Sequence, residues 1–325
     1  MHRQRDFLLL VTLLAAAATP AFGQTVAPAV APSAASIPDL SGTWVYPFCC
    51  GFGPPLSGPG PVVNKSRSPQ PRGADGLPWR GDATRPLVSN NSRFAGDYTN
   101  PILKPAAAQV VKKHGEIEAS GIPYPTPRNQ CWPEGVPFVF ANMGMQMLQQ
   151  PDKVTIFYEY DHQVRRVRMN ASHPAHVTPS WYGDSVGHYD GDALVIDTVG
   201  VKIGPFSLAD WFGTPYTEAL HVVERYQLIE DGDAKEAEER NAKEYARMAF
   251  RGSATHLVAD PNYKGKALQL QFTVEDGGVF TGRWSAIITY WRSFDEWPEH
   301  VCAESPRSTY FVRDSDIPRA DRPDF

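Results

Sequence analysis

The stretch Ser180–Gly200, SWYGDSVGHYDGDALVIDTVG, decides how the rest of the sequence is interpreted. Its first half contains Gly183-Asp184-Ser185-Val186-Gly187, a G-x-S-x-G pattern that holds a nucleophilic serine on a strand-to-helix turn in many hydrolases. Its second half places Asp190-Gly191 between strand-like residues, which is typical of a tight β-hairpin because both turn positions favour positive φ. No helix-forming run follows Ser185, so we interpret the stretch as a hairpin and not as a nucleophile site.

Strand-like alternation extends from this hairpin over most of the chain. Lys153–Tyr160 (KVTIFYEY) and Gln163–Met169 (QVRRVRM) are rich in β-branched and aromatic residues, and Asp161-His162 between them predicts a tight hairpin or one long bent strand. In total, about eight short strands are expected. We predict a mainly β fold, an antiparallel meander closed as a lipocalin-like barrel or, alternatively, packed as a two-layer β-sandwich. The other predicted strands are Asp39–Tyr46, Thr217–Ile229, Ala267–Val274 and Phe280–Trp291.

Two segments are predicted to be peripheral helices. Pro101–Glu118 contains Pro105 at a favourable first position, followed by an alanine-rich run. Residues 233–250 (DAKEAEERNAKEYARMAF) combine helix formers with alternating charges. That combination is typical of an exposed helix inserted between strands.

The two ends of the chain have the composition of processing and linker segments. Residues 1–23 combine Arg3 and Arg5, a short apolar run and a small-x-small site at Ala21-Phe22-Gly23, which predicts a signal peptide. Residues 24–37 are predicted to be a disordered leader, 38–305 a single β domain with a long irregular segment at 48–100, and 306–325 a C-terminal arm. We therefore expect a periplasmic or secreted protein with no integral membrane segment.

Charge and cysteine content restrict the possible partners. Removing Arg3, Arg5 and Asp6 with the signal peptide changes the formal net charge from −5 to −6, so no basic footprint for nucleic acid exists. Four cysteines in an oxidising compartment favour disulfides. We predict a Cys131–Cys302 pair, while the pairing of Cys49 and Cys50 stays open, as does the oligomeric state.

Candidate acid–base residues come from the most polar strand region. If Lys153–Met169 ran straight, Tyr158, Tyr160, His162 and Arg166 would share one face and form a polar floor inside a barrel. Glu224 lies on the apolar face of its own strand, where a carboxylate needs a partner or a raised pKa. We predict His162, Arg166 and Glu224 as catalytic residues. The alternatives are a Glu159 pair with Arg165 or Arg166 across the hairpin, and an exposed strand end for Glu224.

Other histidines and a tryptophan add predicted ligand contacts. His173-Pro174-Ala175-His176, with Asp184 nearby in sequence, has the residue types of a metal site, but Pro174 interrupts the helix that would align the two imidazoles. No metal and no other cofactor is therefore predicted. The predicted ligand-binding residues are Tyr158, Tyr160, His173, Trp181, Asp184 and His221.

Several motifs resemble those of known protein groups. Gly42-Thr43-Trp44 resembles the G-x-W signature near the start of lipocalin-type barrels. Between Cys131 and Cys302, about half of the chain is similar to a group of exported bacterial proteins of unknown function. This resemblance implies an exported β fold and no particular reaction. The matching motifs include CWPEGVP (131–137), YEYDHQVRR (158–166), WYGDSVG (181–187) and DGDALVIDT (190–198).

These patterns together predict a small-molecule binding protein. Tryptophans spread through the predicted strands suit a barrel cavity for one small apolar or aromatic ligand. One alternative is a lyase, isomerase or hydrolase that uses the acid–base residues in the same cavity. Another is an envelope or protein-interaction module without a catalytic site, in which 48–100 and the inserted helix form the docking surface.

Overall fold

The computed structural model describes residues 37–46, 51–65, 95–119, 124–141, 144–247, 257–294 and 299–302. The predicted signal peptide, almost all of the leader, the C-terminal arm and the Cys49-Cys50 pair lie outside these residues. Most of the segment predicted to be irregular (48–100) also lies outside them. Among the described residues, no helix combines the length and the apolar character that crossing a membrane requires.

Nine strands of the described chain form a closed barrel in sequence order, with β1 hydrogen-bonded to β9. The prediction of a mainly β fold closed as a barrel is therefore confirmed, whereas the two-layer sandwich is not formed. The strands are β1 (Gly42–Val45), β2 (Gly144–Gln149), β3 (Lys153–Tyr158), β4 (Gln163–Met169), β5 (Asp184–Asp190), β6 (Ala193–Val199), β7 (His221–Ile229), β8 (Ala267–Glu275) and β9 (Trp284–Arg292).

One pair of neighbouring strands departs from the predicted antiparallel meander. β4 and β5 run parallel, with Arg168 opposite Val186 and Met169 opposite Gly187. Parallel neighbours need a crossover of about a dozen or more residues, and residues 170–183 provide it. Gly187 faces Val167 and Met169, and a Cβ atom there would lie 2.9 Å from Val167 Cγ1. The glycine therefore allows the two parallel strands to approach.

A two-residue turn joins β5 to β6 as predicted, but its residues are Gly191-Asp192, one position later than the predicted Asp190-Gly191. Asp190 pairs with Ala193, and Gly191 has a φ of 62°. A Cβ atom at Gly191 would meet nothing within 4 Å, so its backbone conformation and not its packing favours glycine. The hairpin interpretation of the opening stretch is confirmed.

The β3–β4 turn decides which side chains enter the barrel. Asp161 and His162 have φ values of 58° and 48°, and Tyr158 pairs directly with Gln163. The straight-strand alternative is therefore wrong, and the hairpin alternative is correct. Because side chains alternate along a strand, this register places Arg165 inside and leaves Arg166 exposed. The buried residues of β4 are Gln163, Arg165, Val167 and Met169.

Short segments cover both ends of the barrel. A buried 3₁₀ helix, Phe138–Ala141, packs its Phe140 ring 5.0 Å from Phe272 and accepts a hydrogen bond on the Phe140 carbonyl from Tyr290 Oη at 2.9 Å. At the opposite end, the Leu40 backbone N–H donates to Gln149 Oε1. We call the end covered by the 3₁₀ helix, where β5 and β7 begin, the mouth.

Two helices and a disulfide complete the described structure. Helix α1 (Pro105–Ala119) begins at the predicted proline, and α2 (Asp231–Arg247) occupies the predicted insertion. Cys131 and Cys302 form a disulfide with a Cα–Cα distance of 5.5 Å, which confirms the predicted pairing. The bond links the segment that precedes the 3₁₀ helix to Cys302, which follows the last strand of the barrel.

Candidate functional site

An ion pair occupies the interior of the barrel. Arg165 Nη1 donates to Glu224 Oε2 at 2.8 Å and Arg165 Nη2 to Oε1 at 2.6 Å, and neither side chain has any exposed surface. Burial by itself would lower the pKa of Arg165, but the facing Glu224 carboxylate raises it above its usual value. Glu224 therefore has the partner that a buried carboxylate requires. That partner is Arg165, whereas Arg166, the arginine predicted to face the interior, is exposed.

Ser185, the serine of the G-x-S-x-G pattern, belongs to this interior network. Its Oγ accepts hydrogen bonds from Arg165 Nε at 3.2 Å and Nη2 at 3.1 Å, and it lies 3.1 Å from Thr198 Oγ1. Only 3% of Ser185 is exposed. Its hydroxyl holds the guanidinium in place and has no access to a substrate in bulk solvent.

Tyr158 is the predicted ligand contact closest to this network. Its hydroxyl has no hydrogen-bond partner within the described structure, although the Arg165 guanidinium lies close enough to affect it. Burial raises the pKa of Tyr158 to about 12, and the charge of Arg165 opposes part of that shift. The phenol is therefore neutral at physiological pH.

The barrel is filled at the level of the ion pair. The surrounding side chains retain at most 2% of their surface, so they are closely packed. A ligand at this level would therefore have to displace buried side chains. They include Met145, Ile196, Tyr226, Leu270 and Tyr290.

The three predicted catalytic residues do not meet. Glu224 is inside the barrel, Arg166 is exposed on the outer face opposite Thr155, and His162 lies in the β3–β4 turn, where Nε2 accepts from the His300 N–H at 3.4 Å. The expected inward direction of Arg166 is wrong because the turn after Tyr158 changes the register. Catalysis by these residues stays a prediction that their placement does not favour.

Tyr160 is buried beside the disulfide and not inside the barrel. Its Oη donates to the Arg128 carbonyl at 2.7 Å and lies 2.9 Å from Cys302 Sγ. Arg128 in turn pairs with Glu134 at 2.6 Å. These contacts fix the segment that leads into the 3₁₀ helix at the mouth.

Three predicted ligand contacts converge on the outer face of β5–β7. His221 Nε2 and His173 Nε2 lie 2.9 and 3.2 Å from the same oxygen, Oδ1 of Asp197. His173 Nδ1 is 3.5 Å from Asp184 Oδ2, and Arg168 donates to Asp184 at 2.6 Å. The cluster joins the crossover to the sheet, and its partial exposure limits each pair to about 0–1 kcal/mol.

Sequence reasoning missed Arg168 and Asp197 in this cluster. Period-two alternation places both on the outer face, but only the parallel β4–β5 pair brings Arg168 beside β5. No three histidine, cysteine, aspartate or glutamate side chains in the described part of the chain are arranged to hold a metal ion.

The remaining predicted ligand contact, Trp181, belongs to a group of aromatic rings at the mouth. Trp132 stands edge-to-face with Trp181 at 5.3 Å and with Phe206 at 5.7 Å. Lys202 Nζ lies 4.8 Å from the centroid of a Trp181 ring. Trp132 is 36% exposed, and Trp181 and Phe206 are partly exposed. We call Trp132, Trp181, Phe206 and Lys202 the aromatic patch.

Backbone contacts hold the patch in place. A Cβ atom on Gly204 would lie 2.9 Å from Trp181 Cη2 and Cζ3, so only glycine lets the chain pass this close to the indole. Trp132 follows Cys131 directly, so the disulfide restrains the second indole. The rings are therefore presented by a fixed backbone, as a binding surface requires.

A buried carboxyl, Asp210, lies in the same β6–β7 connection as Phe206. Its Oδ1 accepts hydrogen bonds from the N–H groups of Phe212 at 2.8 Å and Thr214 at 3.2 Å. Burial raises its pKa from 3.8 to about 6, against the opposing effect of these hydrogen bonds. Ionised Asp210 is thus less stable in the folded protein than in the unfolded chain.

We expect Asp210→Asn to stabilise the protein at pH 7. The unfolded chain loses this proton near pH 4 and the folded protein only near pH 6, so Asp210 lowers stability as pH rises through that window. The gap corresponds to a penalty on the order of 3 kcal/mol at pH 7. Urea unfolding between pH 4 and 7 should therefore show a slope that the variant lacks. A partly exposed control, Asp260→Asn, should retain the slope, and an unchanged slope in Asp210→Asn would contradict the expectation.

A scan against protein-family models gives no match, and searches of the curated proteins and of the solved structures give no significant match.

Proposed function

We propose that this barrel protein binds a small aromatic or apolar molecule bearing an anionic group, and that the aromatic patch at the mouth is the binding site. The observation that carries the proposal is the placement of Lys202 over the Trp181 ring on a partly exposed surface. An aromatic ligand stacks on or against the indoles, and its anionic group is attracted to the ammonium.

The charge of the patch supports an anionic ligand. Lys202 is exposed and forms no ion pair with any residue that the structure describes. The buried cations behave differently, since Arg165 and Arg128 already face Glu224 and Glu134. Lys202 is thus available to an external anion.

The packed interior supports a site at the mouth over one deeper in the barrel. A ligand at the level of Arg165 would have to displace side chains that are almost fully buried, whereas the patch needs no such displacement. The proposal keeps the small aromatic ligand expected from the sequence and places it at the end of the barrel.

The proposal includes an exported location and kinship with the exported group that the motifs resemble. The Cys131–Cys302 disulfide supports the location, because disulfides persist mainly in oxidising compartments.

We expect Trp181→Ala to weaken the binding of 1-anilinonaphthalene-8-sulfonate, an aromatic anion, by about tenfold, or 1.4 kcal/mol. Fluorescence titration and calorimetry measure the dissociation constant. Lys202→Met should also weaken binding, and Lys202→Arg should not. Trp291→Ala, on the outer face of β9, is the matched control and should leave the constant unchanged. Equal affinities for the parent, Trp181→Ala and Lys202→Met would refute the proposed site.

A further inference from the structure

An open groove lies on the outer face of β7–β9, away from the aromatic patch. Its volume is about 390 Å³, within the range of about 300–1,000 Å³ that small-molecule sites occupy. The strands form its floor, and the segment Pro55–Ser57, which we call the strap, forms one wall. The residues that line the groove include Pro55, Leu56, Arg225, Gln271, Thr273, Ser285 and Ile287.

The strap is anchored on both sides of the groove. Before it, Gly53 exchanges two backbone hydrogen bonds with Ile287, at 2.9 and 3.0 Å, and the Phe52 ring packs 5.0 Å from Phe272. After it, the Pro59 carbonyl accepts from the Ser285 N–H at 3.0 Å. The residues on either side of the strap are thus fixed to β9, while Leu56 at its centre forms no backbone hydrogen bond to the sheet among the described contacts.

Gly53 is required at the first anchor. A Cβ atom there would lie 2.2 Å from Asn241 Oδ1 and 2.6 Å from the Ile287 carbonyl oxygen. The residue two positions before the strap is therefore closely packed against helix α2 and strand β9. Its position over the groove is set by the barrel and not by a flexible loop.

Leu56 provides the apolar surface of the strap. Its side chain is 70% exposed, the largest exposed fraction among the described large apolar residues. A ligand in the groove would remove part of this surface from water, which is favourable because the surface is apolar. Because the strap is anchored on both sides, its exposed leucine forms an apolar wall of the groove at a fixed position.

The floor of the groove offers neutral hydrogen-bonding groups. Thr273 Oγ1 and Ser285 Oγ lie 2.9 Å apart, so one hydroxyl donates to the other and the second O–H remains available. Both charged lining residues already have partners, because Arg225 pairs with Asp190 at 2.7 Å and Glu224 pairs with Arg165 inside the barrel. The groove therefore carries no unpaired charge that would select an ion.

We propose that this groove is a second ligand site, for a neutral amphipathic molecule whose apolar part packs under Pro55 and Leu56 and whose hydroxyl or carbonyl group meets Thr273 and Ser285. The site differs from the aromatic patch in place and in charge. It does not depend on the aromatic patch being a binding site.

The test uses 1-octanol as the probe and sodium octanoate as an anion with a chain of the same length. All measurements are calorimetric titrations of the full chain carrying Trp181→Ala, so that failure at the aromatic patch does not affect the outcome. We expect octanol to bind at least fivefold more tightly than octanoate. Leu56→Ser should weaken octanol binding at least fivefold, and Thr273→Val should reduce the preference for octanol over octanoate.

Leu148→Ser is the matched control, because Leu148 is an exposed leucine on β2, a strand that does not line the groove. It should bind octanol as the parent does. Circular dichroism checks the fold of each variant, and Leu56 is exposed enough for its replacement to leave the core intact. Absence of octanol binding, equal affinity for octanoate, or equal affinities of Leu56→Ser and Leu148→Ser would overturn the proposal.

Discussion

Glu224→Gln should lower the free energy of unfolding by about 3–5 kcal/mol, because it leaves the Arg165 guanidinium buried without its counter-charge. Arg165 has no exposed side-chain surface from which to reach water, and its other partners are the neutral hydroxyls of Ser185 and Thr198. Urea unfolding followed by tryptophan fluorescence measures the loss. Against a total stability of about 5–15 kcal/mol, a loss of this size is large.

A double variant distinguishes the lost charge balance from lost packing. Arg165→Met with Glu224→Leu removes both charges and keeps apolar volume, so we expect it to recover at least half of the stability. Ser185 and Thr198 remain bonded to each other, which limits the cost of removing the guanidinium. The surface pair Lys266–Glu230 provides the control, since Glu230→Gln breaks an ion pair that solvent screens and should cost far less than Glu224→Gln. A loss in Glu224→Gln no larger than in this control would contradict a structural role for the interior pair.

The second large effect concerns the disulfide. Replacing Cys131 and Cys302 with serine should lower the free energy of unfolding by about 2–5 kcal/mol, the upper value corresponding to the chain-entropy cost of a long closed loop. The two cysteines are 171 residues apart, so the bond restricts a large part of the unfolded chain. Both proteins should carry Cys49→Ser and Cys50→Ser to prevent disulfide exchange. Equal urea midpoints and slopes for the two proteins would show that the bond contributes nothing.

Loss of the disulfide should also affect ligand binding. Trp132 follows Cys131 directly and packs against Trp181 at 5.3 Å. Without the bond, we expect this indole to become less restrained and the affinity for 1-anilinonaphthalene-8-sulfonate to fall. Binding measured well below the denaturation midpoint separates this effect from unfolding.

Local signals in the sequence were sufficient for most of the fold. The hairpin between β5 and β6, the alternation in β3 and β4, and the proline at the start of α1 each depend on neighbouring residues. Each is correctly predicted, although the hairpin turn lies one residue later than expected. The register after Tyr158 depends on two residues in succession with positive φ, Asp161 and His162. Neither is glycine, so nothing in the residue types required that conformation, and Arg166 was predicted inside in place of Arg165.

The candidate sites depend more on contacts between distant segments. Trp181, His173, Asp184 and His221 were predicted from their residue types, but their partners lie in other strands or connecting segments. Asp197 contacts His221 because β6 and β7 are neighbours, and it contacts His173 because the crossover packs against β6; a single sequence does not give either adjacency. The groove under the strap likewise combines residues 55–57 with three strands far along the chain.

The parallel β4–β5 pair follows from the odd number of strands in the closed barrel. Strands that reverse direction at every step close a ring only when their number is even. This barrel has nine strands and closes with β1 antiparallel to β9, so at least one pair of neighbouring strands must be parallel. That pair is β4 and β5. Replacing residues 170–183 with a two-residue turn would therefore leave an odd ring that cannot close, whatever the quality of the new turn.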